Sequence, residues 1–193
     1  MVRATGIFST DANADERRMK TLDDLGRYVE HLKGIGLRVV LTSGSFDLIH
    51  LGHVKYLARA KELGDVLVVG VDSDNKIRRR KGADRPLVPE DERLEMLAYQ
   101  RPVDLLYLKN DSDEKWALIK AVRPHVLVVT NEHSYDESEL DQLHNFCQQV
   151  RIIERQADIT TSERIRQINI NVGKRLYERW ADIVDNSLSP RDR

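Results

Sequence analysis

The stretch Thr42-Ser43-Gly44-Ser45-Phe46-Asp47-Leu48-Ile49-His50-Leu51-Gly52-His53 joins two patterns that together decide the fold. Residues 37–41 before it are largely apolar and rich in β-branched side chains, which is typical of a buried strand. After it, Val54, Leu57 and Ala58 fall on one face at helical spacing. Small and polar residues occupy the connection, where the chain must turn. The sequence therefore predicts a strand, a tight loop and a helix.

Two histidines, His50 and His53, stand at the predicted start of this helix. The N-terminus of a helix has free N–H groups and a partial positive charge, so it attracts anions, and Gly44 would let a ligand approach the backbone closely. Taken alone, two histidines at this spacing are more often surface residues, or one of them is a hydrogen-bonded core residue. A metal site would need a third ligand, and none of suitable type is nearby. The pair is therefore a candidate phosphate site.

The composition indicates a globular protein with a well-solvated surface. Of the 193 residues, 40% are hydrophobic and 33% are charged, and the formal net charge is −1, which argues against a general nucleic-acid-binding protein. No apolar run reaches the roughly 20 residues that span a membrane, and the N-terminus lacks an apolar signal core. The single cysteine, Cys147, excludes an internal disulfide bond. We therefore expect a cytoplasmic protein with neither a nucleic-acid nor a membrane partner.

Strand patterns alternate with helical patterns along most of the chain. Strands are expected near 37–43, 66–71, 103–108, 126–129 and 150–153. This alternation predicts parallel βαβ units and a doubly wound, five-stranded α/β sheet, whose ligands bind at the carboxyl ends of the strands. Residues 1–19 show no period and are expected to form a loose extension. The main domain is placed at 20–168, and an added C-terminal helix with its tail at 169–193.

The loop sequence G-S-F-D-L-I-H-L-G-H at 44–53 resembles the G-x-F-D-x-x-H-x-G-H signature of the cytidylyltransferase-like nucleotidyltransferases. A match along the whole string at fixed spacing is far more specific than an isolated glycine motif. The resemblance implies a Rossmann-like domain with His50 and His53 as catalytic residues. It also implies that the loop binds the nucleotide through Ser43, Gly44, Ser45, Phe46, Asp47, His50 and His53.

Asp47 is part of this signature and is also a candidate for substrate binding. Two roles are open for its carboxylate: it either orients the loop by accepting hydrogen bonds from backbone N–H groups, or it helps to organise a metal ion. We favour the first role.

A basic run at 77–86 follows the second predicted strand, on the side where a triphosphate would lie. Most runs of this kind are solvated loops. The pair Lys81-Gly82, however, resembles the K-G pair that supplies a phosphate-binding lysine in many of these enzymes. The resemblance implies a catalytic and substrate-binding role for Lys81, whereas no role is assigned to the arginines at 78–80.

The next segment, 85–93, is similar to the R-P-x-x-P-x-x-x-R segment of the heptose-phosphate adenylyltransferases. Arg93 closes this segment and is a candidate for substrate binding. Its side chain either contacts the ligand or pairs with nearby carboxylates, and the sequence does not favour one over the other.

A third candidate segment is 155–165, where three consecutive hydroxyl residues predict the N-terminus of a helix. One hydroxyl is expected to serve as a simple cap. The segment also resembles the R-x-x-x-I-S-T-[ST] signature that closes the nucleotide site in the family. The resemblance implies that Arg155 binds phosphates and that Thr160, Thr161 and Ser162 contact the nucleotide.

The implied reaction is attack by an acceptor phosphate on the α-phosphorus of a nucleoside triphosphate, with release of pyrophosphate. Because the acceptor phosphate is already an anion at pH 7, no strong general base is required. The protein must instead position the reactants and stabilise developing negative charge. Mg²⁺, bound mainly through phosphate oxygens and not directly by the protein, would reduce the charge of the leaving group.

The identities of the base and the acceptor stay open. The segments 21–25, 70–74 and 85–89 look like the adenylyltransferases that make nucleotide-activated heptose, whereas 155–162 looks more like glycerol-3-phosphate and choline-phosphate cytidylyltransferases. After the fourth strand the heptose enzymes have a K-G-G-D-Y type of loop, and this chain instead has a glycine-free segment. In this segment Asn131 and Glu132 are candidates for acceptor binding, although Glu132 and His133 either contact a polar acceptor or simply face solvent. We favour AMP transfer from ATP to a sugar phosphate. The alternative is CMP transfer from CTP to a glycerol-phosphate-like acceptor.

Two other classes of function are considered. A nucleotide-binding regulator without turnover would bind nucleotide but release no pyrophosphate, and the intact H-x-G-H, Lys81 and T-T-S elements argue against it. A dinucleotide-binding oxidoreductase is disfavoured because no G-x-G-x-x-G follows the first strand.

Apolar residues at helical spacing from 165 to 184 predict a long final helix, about 30 Å over roughly 20 residues. Such a helix either packs against its own domain or contributes to a dimer interface. Because members of the resembled family are commonly dimers, we favour a homodimer.

Overall fold

The computed structural model describes residues 14–130, 135–154 and 161–188. Helices and strands alternate along the chain, as the sequence predicts. In order they are α1 (Ala14–Arg17), β1 (Arg18–Met19), α2 (Leu22–Gly34), β2 (Val39–Gly44), α3 (Leu51–Lys61), β3 (Val66–Asp72), α4 (Asp74–Lys81), α5 (Glu90–Ala98), β4 (Leu105–Lys109), α6 (Ala117–Val122), β5 (Val126–Val129), α7 (Glu137–Leu143), β6 (Gln149–Ile152) and α8 (Thr161–Leu188).

The strands form one parallel sheet in the order β1-β4-β3-β2-β5-β6. The predicted α/β class with a Rossmann-like doubly wound sheet is confirmed, but the sheet has six strands among the described residues and not five. The extra strand, β1, pairs with β4 at the edge through Arg18 and Leu106. It has only two residues, which is too short for a period of two to show in the sequence.

Residues 14–19, which the sequence assigns to a loose extension, form α1 and β1. Arg17, the last residue of α1, is buried and donates to the carbonyl oxygens of Ala98 (3.1 Å) and Val103 (2.8 Å). These two hydrogen bonds hold the end of α1 and the start of β1 against the loop that precedes β4.

The central strands are buried on both faces, which explains their continuous apolar sequence. Every residue of β3 is buried. Successive side chains point to opposite faces, so Leu41 and Val68 join one apolar cluster with α2 and α6, while Val40 and Leu67 join another with α3 and α5. Burial of two apolar layers fixes the register of the sheet, because a slip by one residue would exchange the faces.

The order of the strands places the loops that follow them at one edge of the sheet. β3 and β4 lie on one side of β2, and β5 and β6 lie on the other. The direction of winding therefore reverses between β2 and β5, and the crevice of a doubly wound sheet opens at such a point. At this edge β2 ends at Gly44, β3 at Asp72 and β4 at Lys109.

The chain divides into two compact units, 1–156 and 157–193. The first contains the sheet and α1 to α7, and the described part of the second is α8. Within the part of the chain that the structure describes, no helix is long and apolar enough to cross a membrane.

Candidate functional site

The loop between β2 and α3 has an unusual backbone. Phe46 and Leu48 both lie in the left-handed region, with φ of 49° and 68°, which for residues with a side chain is of order 1–3 kcal/mol less stable per residue. Such a conformation persists only where surrounding contacts hold it. A strained loop at the carboxyl edge of a parallel sheet is a common feature of a binding site.

Gly44, the last residue of β2, makes room for a neighbour in the same loop. A Cβ atom placed at Gly44 would lie 3.0 Å from Cε2 of Phe46. The glycine therefore lets the buried Phe46 ring turn back over the end of the strand. Close approach of a ligand to the Gly44 backbone stays a prediction.

Asp47 fastens this loop to the segment that leads into α5. Its carboxylate is only 3% exposed. It accepts hydrogen bonds from the backbone N–H groups of Leu87 (2.9 Å) and Val88 (3.0 Å), and Arg85 forms an ion pair with it at 2.7 Å. Asp47 does accept hydrogen bonds from backbone N–H groups, as expected. These groups belong to the segment before α5 and not to the loop that contains Asp47. Its predicted contacts with nucleotide and substrate stay predictions.

Arg93 also holds the loop between β2 and α3 in place. Its side chain is 1% exposed, and it donates to the carbonyl oxygens of Ser45 (2.6 Å) and Val88 (2.9 Å) and to the Asp74 carboxylate (2.7 Å). Of the two roles considered for Arg93, pairing with a carboxylate is the one found in the structure. Contact with the substrate stays a prediction.

His50 is the N-cap of α3. Its Nδ1 accepts a hydrogen bond from the backbone N–H of Gly52 at 3.1 Å. An imidazole nitrogen that accepts a hydrogen bond carries no proton, so the proton of the neutral ring must be on Nε2. Capping therefore fixes the tautomer of His50 and makes its Nε2 a hydrogen-bond donor.

His53 packs against the ring of His50, with 4.1 Å between the ring centroids, and Phe46 meets it edge-on at 5.5 Å. Burial, together with the nearby charges of His50 and Lys81, lowers the pKa of His53 to about 4. His53 is therefore neutral at physiological pH. Its Nδ1 is buried and has no hydrogen-bond partner among the described residues.

Cations gather at the ends of β3, β4 and α4. Arg80 donates to Ser45 Oγ (2.7 Å) and to the buried Asp72 carboxylate (2.9 Å), and Lys109 donates to Asp72 at 3.2 Å. Burial and the nearby charges of Arg80 and Arg85 lower the pKa of Lys81. An anion placed here would relieve this repulsion, so the cluster is poised to bind one.

Asp72, Arg80, Lys81 and Lys109 line one cleft of about 590 Å³ at the carboxyl edge of the sheet. Its walls come from the ends of β2 to β5, from α4, and from the loop before α6. The lining residues with polar or aromatic side chains are Ser43, Asp72, Lys76, Arg80, Lys81, Lys109, Asp113, Glu114, Lys115, Trp116, Thr130, Tyr135 and Glu139.

The structure brings most of the predicted site residues together. Ser43, Gly44 and Lys81 line the cleft, while Ser45, Phe46, Asp47, His50 and His53 form the adjoining loop and helix start. Arg155, Thr160, Asn131 and Glu132 lie outside the described residues. Thr161 and Ser162 begin α8, and the roles predicted for their side chains also fall outside what is described.

Sequence reasoning missed Asp72, Lys76, Arg80 and Lys109. A signal for two of them was present, because Asp72 and Lys109 end two predicted strands at the edge where ligands bind. Arg80 could not be singled out from its neighbours, since only the folded helix shows that Arg79 instead pairs with Asp111.

The fold is a Rossmann-like α/β domain with a basic cleft at the carboxyl edge of its sheet. The chain belongs to the cytidylyltransferase-like family, which its sequence matches over residues 41–178. It is 37% identical to the bifunctional protein HldE of a Nitratiruptor species over 151 residues, which are 78% of this chain and 32% of that protein. It is 44% identical to HldE of Geotalea uraniireducens over 119 residues, covering 62% and 24% of the two chains.

Among solved structures, the lipopolysaccharide core biosynthesis protein from Thermoplasma volcanium GSS1 is 31% identical, with a TM-score of 0.53. The match covers 62% of this chain and 97% of that one. The chain spans about a third or less of the length of the HldE proteins it matches. Those relatives are therefore larger proteins, of which this chain resembles one part.

Proposed function

We propose that the chain transfers AMP from ATP to a sugar phosphate and releases pyrophosphate. The observation that carries the proposal is the His50–His53 pair at the N-terminus of α3, beside Lys81. In this pair both rings can donate hydrogen bonds without a net charge. The resemblance of the segments 21–25, 70–74 and 85–89 to heptose-phosphate adenylyltransferases supports adenine as the base and a sugar phosphate as the acceptor.

In the proposed reaction an oxygen of the acceptor phosphate forms a bond to the α-phosphorus. The bond from the α-phosphorus to the bridging oxygen breaks, and pyrophosphate leaves with the electron pair. No proton has to be removed from the nucleophile. The helix N-terminus, His50 Nε2–H and the ring of His53 stabilise negative charge on the α-phosphate oxygens, and Lys81 follows the phosphoryl groups as a compact charge.

We further propose that Mg²⁺ accompanies the triphosphate and neutralises the leaving pyrophosphate. The donor set of the cleft fits a metal that is held by phosphate oxygens. Five lysine and arginine side chains line the cleft, and its buried carboxylate, Asp72, already pairs with Arg80 and Lys109. Chelation of Mg²⁺ should abolish turnover, and added Mg²⁺ should restore it.

The part of the cleft that Trp116 and Tyr135 line suits a sugar. Trp116 meets Tyr135 and Phe146 edge-on, with ring centroids 6.4 and 6.2 Å apart. Lys115 lies over the Trp116 ring and pairs with Glu139 at 2.6 Å. An aromatic wall with a few fixed polar groups is the usual surface for a small polar ligand.

The proposal is tested by measuring pyrophosphate release with ATP and with CTP, each against a panel of phosphorylated sugars and polyols in the presence of Mg²⁺. Turnover with ATP and a sugar phosphate supports it. Turnover only with CTP and a polyol phosphate replaces it with the cytidylyltransferase alternative. Tight nucleotide binding without turnover on any acceptor supports a regulator instead.

We also propose that the protein is a homodimer and that α8 contributes to the interface. Ile168, Val172, Leu176 and Trp180 recur at intervals of four along this helix, and all are exposed. Basic residues are more frequent in the first half of α8 and acidic residues in its last turns, so two antiparallel copies would be complementary in charge. Light scattering should give the mass of a dimer, and Leu176→Glu should give that of a monomer.

A further inference from the structure

We infer that Arg80 binds the β- and γ-phosphates of the nucleoside triphosphate together with the hydroxyl group of Ser45, and that the buried Asp72 positions Arg80 for this contact. The inference rests on the proposed function, because it names further residues of the site that would hold the leaving pyrophosphate. It requires a nucleoside triphosphate as substrate, and it holds for either base and for any acceptor.

Of three consecutive arginines at the end of α4, only Arg80 lines the cleft. Arg78 pairs with Asp74 at the start of the same helix, and Arg79 pairs with Asp111. The fold therefore directs one guanidinium group of this basic run into the cleft and engages the other two elsewhere.

Two partners fix the guanidinium group of Arg80 through one nitrogen atom. Its Nη2 donates to Ser45 Oγ at 2.7 Å and to Asp72 Oδ2 at 2.9 Å, and these two bonds use both hydrogens of that atom. A guanidinium group has further N–H donors on Nε and Nη1. These have no partner among the residues that the structure describes. Arg80 is thus held at one corner, while its remaining donors are available to an anion in the cleft.

The same contact makes the hydroxyl group of Ser45 a hydrogen-bond donor. Ser45 is 9% exposed, and its Oγ accepts from Arg80. A hydroxyl oxygen that accepts in this way still has its own hydrogen to donate, and no side chain or carbonyl in the described parts of the chain takes that hydrogen. A buried donor without an acceptor is unfavourable. A phosphate oxygen beside Arg80 would accept from both groups and remove this cost.

Asp72 fixes the position of Arg80 at the end of β3. Burial opposes ionisation of this carboxylate, which is 2% exposed, but the charges of Lys109 and Arg80 outweigh burial and hold its pKa below the usual range. Its second oxygen accepts from Lys109 at 3.2 Å. Lys109 reaches it across Gly70, where a Cβ atom would lie 2.8 Å from Cδ of the lysine. An ionised carboxylate that is itself held by the sheet is a rigid support for Arg80.

The position of Arg80 relative to the histidine pair indicates which phosphates it meets. The proposed reaction places the α-phosphate at the histidines, and Ser45, the partner of Arg80, lies earlier in the same loop. Burial lowers the pKa of His53 most, and the charge of Lys81 contributes. Burial also lowers the pKa of Lys81, with the charge of Arg80 as the next cause. Lys81 is therefore near both groups, and a triphosphate that extends from the histidines past Lys81 brings its β- and γ-phosphates to Arg80.

The experiment measures binding to the full chain by calorimetry in the presence of Mg²⁺. The ligands are an ATP analogue with a non-cleavable α–β bridge, AMP and inorganic pyrophosphate, with the corresponding cytidine nucleotides as a second series. Arg80→Met should weaken binding of the triphosphate and of pyrophosphate by about tenfold or more, the size expected when hydrogen bonds from a charged group are lost. It should leave binding of the monophosphate unchanged. Arg79→Met, which changes the neighbouring arginine outside the cleft, should leave all three affinities unchanged.

Two more variants separate the roles of Ser45 and Asp72. Ser45→Ala leaves the pair of Arg80 with Asp72 in place, and it should weaken the triphosphate and pyrophosphate but not the monophosphate. Asp72→Asn keeps the shape of the side chain and removes its charge. It should weaken the same two ligands in the wild-type chain but not in a chain that carries Arg80→Met, because a positioning residue acts only through the group that it positions. A merely structural role would weaken all ligands in both chains.

Equal affinity of the wild type and Arg80→Met for the triphosphate and for pyrophosphate would overturn the inference, and so would an equal loss for all three ligands. If Arg80→Met does not fold, Ser45→Ala decides by the same criterion. Failure of the proposed function is read separately, as absence of pyrophosphate release by the wild-type chain with every acceptor. Turnover with CTP alone would change the base and leave the role of Arg80 to the binding data.

Discussion

The rings of His50 and His53 lie 4.1 Å apart with their planes tilted by 32°. At this distance a positive charge on His50 would oppose protonation of His53. His50 is fixed as a helix cap through Nδ1, and His53 is partly buried. The pair therefore presents neutral hydrogen-bond donors, pre-oriented by the fold, at the point where the helix N-terminus attracts an anion.

We expect His50→Ala and His53→Ala each to lower kcat by roughly 10²–10³-fold, the size of effect found when a donor to the transition state is removed. The measurement is steady-state pyrophosphate release with the best nucleotide and acceptor pair. His31→Ala, which changes an exposed histidine of α2, is the matched control and should keep wild-type turnover. Near wild-type rates in both site variants would contradict the proposed role.

Protein stability should depend on the protonation of His53. Burial lowers the pKa of this group in the folded chain from 6.5 to about 4, so the unfolded chain binds the extra proton first as the pH falls. The free energy of unfolding should therefore decrease from pH 6.5 towards pH 4, by on the order of 1–3 kcal/mol from this residue.

Urea unfolding of the wild type and of His53→Gln at several pH values tests this expectation. The variant should lose part of the pH dependence, whereas His31→Gln should retain it. Equal slopes for the wild type and His53→Gln would show that His53 is not held neutral by the fold.

Arg93→Met should destabilise the first unit by roughly 3 kcal/mol or more, because it leaves the Asp74 carboxylate and the Ser45 carbonyl without their buried donor. The strained loop should then relax, and kcat should fall with it. Arg59→Met, at an exposed position of α3, serves as the control for loss of an arginine. Unchanged unfolding and unchanged turnover in Arg93→Met would rule out this supporting role.

Gly70→Ala should destabilise the chain by about 1–3 kcal/mol through overpacking, because the new Cβ would overlap Cδ2 of Leu118. It should also displace Lys109. Gly173→Ala is the matched control, since a Cβ there meets nothing within 4 Å inside α8, and it should stabilise the helix by roughly 0.5–1 kcal/mol. Thermal unfolding of both variants gives the comparison.

Local patterns in the sequence were sufficient for much of the fold. The apolar run before Thr42 and the helical spacing after His53 predict β2 and α3, and the structure has both. The parallel sheet follows from the alternation of strand patterns and helical patterns along the chain. The edge strand β1 cannot be predicted in this way, because its two residues show no strand pattern. They are held by pairing with β4 and by the hydrogen bonds of Arg17.

The role of a side chain that contacts residues far away in the sequence cannot be predicted from local patterns. Asp47 and Arg93 are predicted as site residues from their motifs. Only the tertiary structure shows that Asp47 holds the backbone at 87–88 and that Arg93 holds the carbonyl of Ser45. These partners are far apart in the chain and meet because two loops leave the same edge of the sheet.

The sequence by itself determined most of the elements after residue 20, the class of fold and the histidine pair, because periodicity, turn residues and helix starts are properties of neighbouring residues. The tertiary structure decided which cations face the cleft. Arg79 pairs with Asp111 while the adjacent Arg80 joins Ser45 and Asp72, and Lys109 enters only because Gly70 leaves space on β3. Strand order and packing decide which charges meet in the cleft and how much space a side chain has there. No pattern of neighbouring residues predicts either.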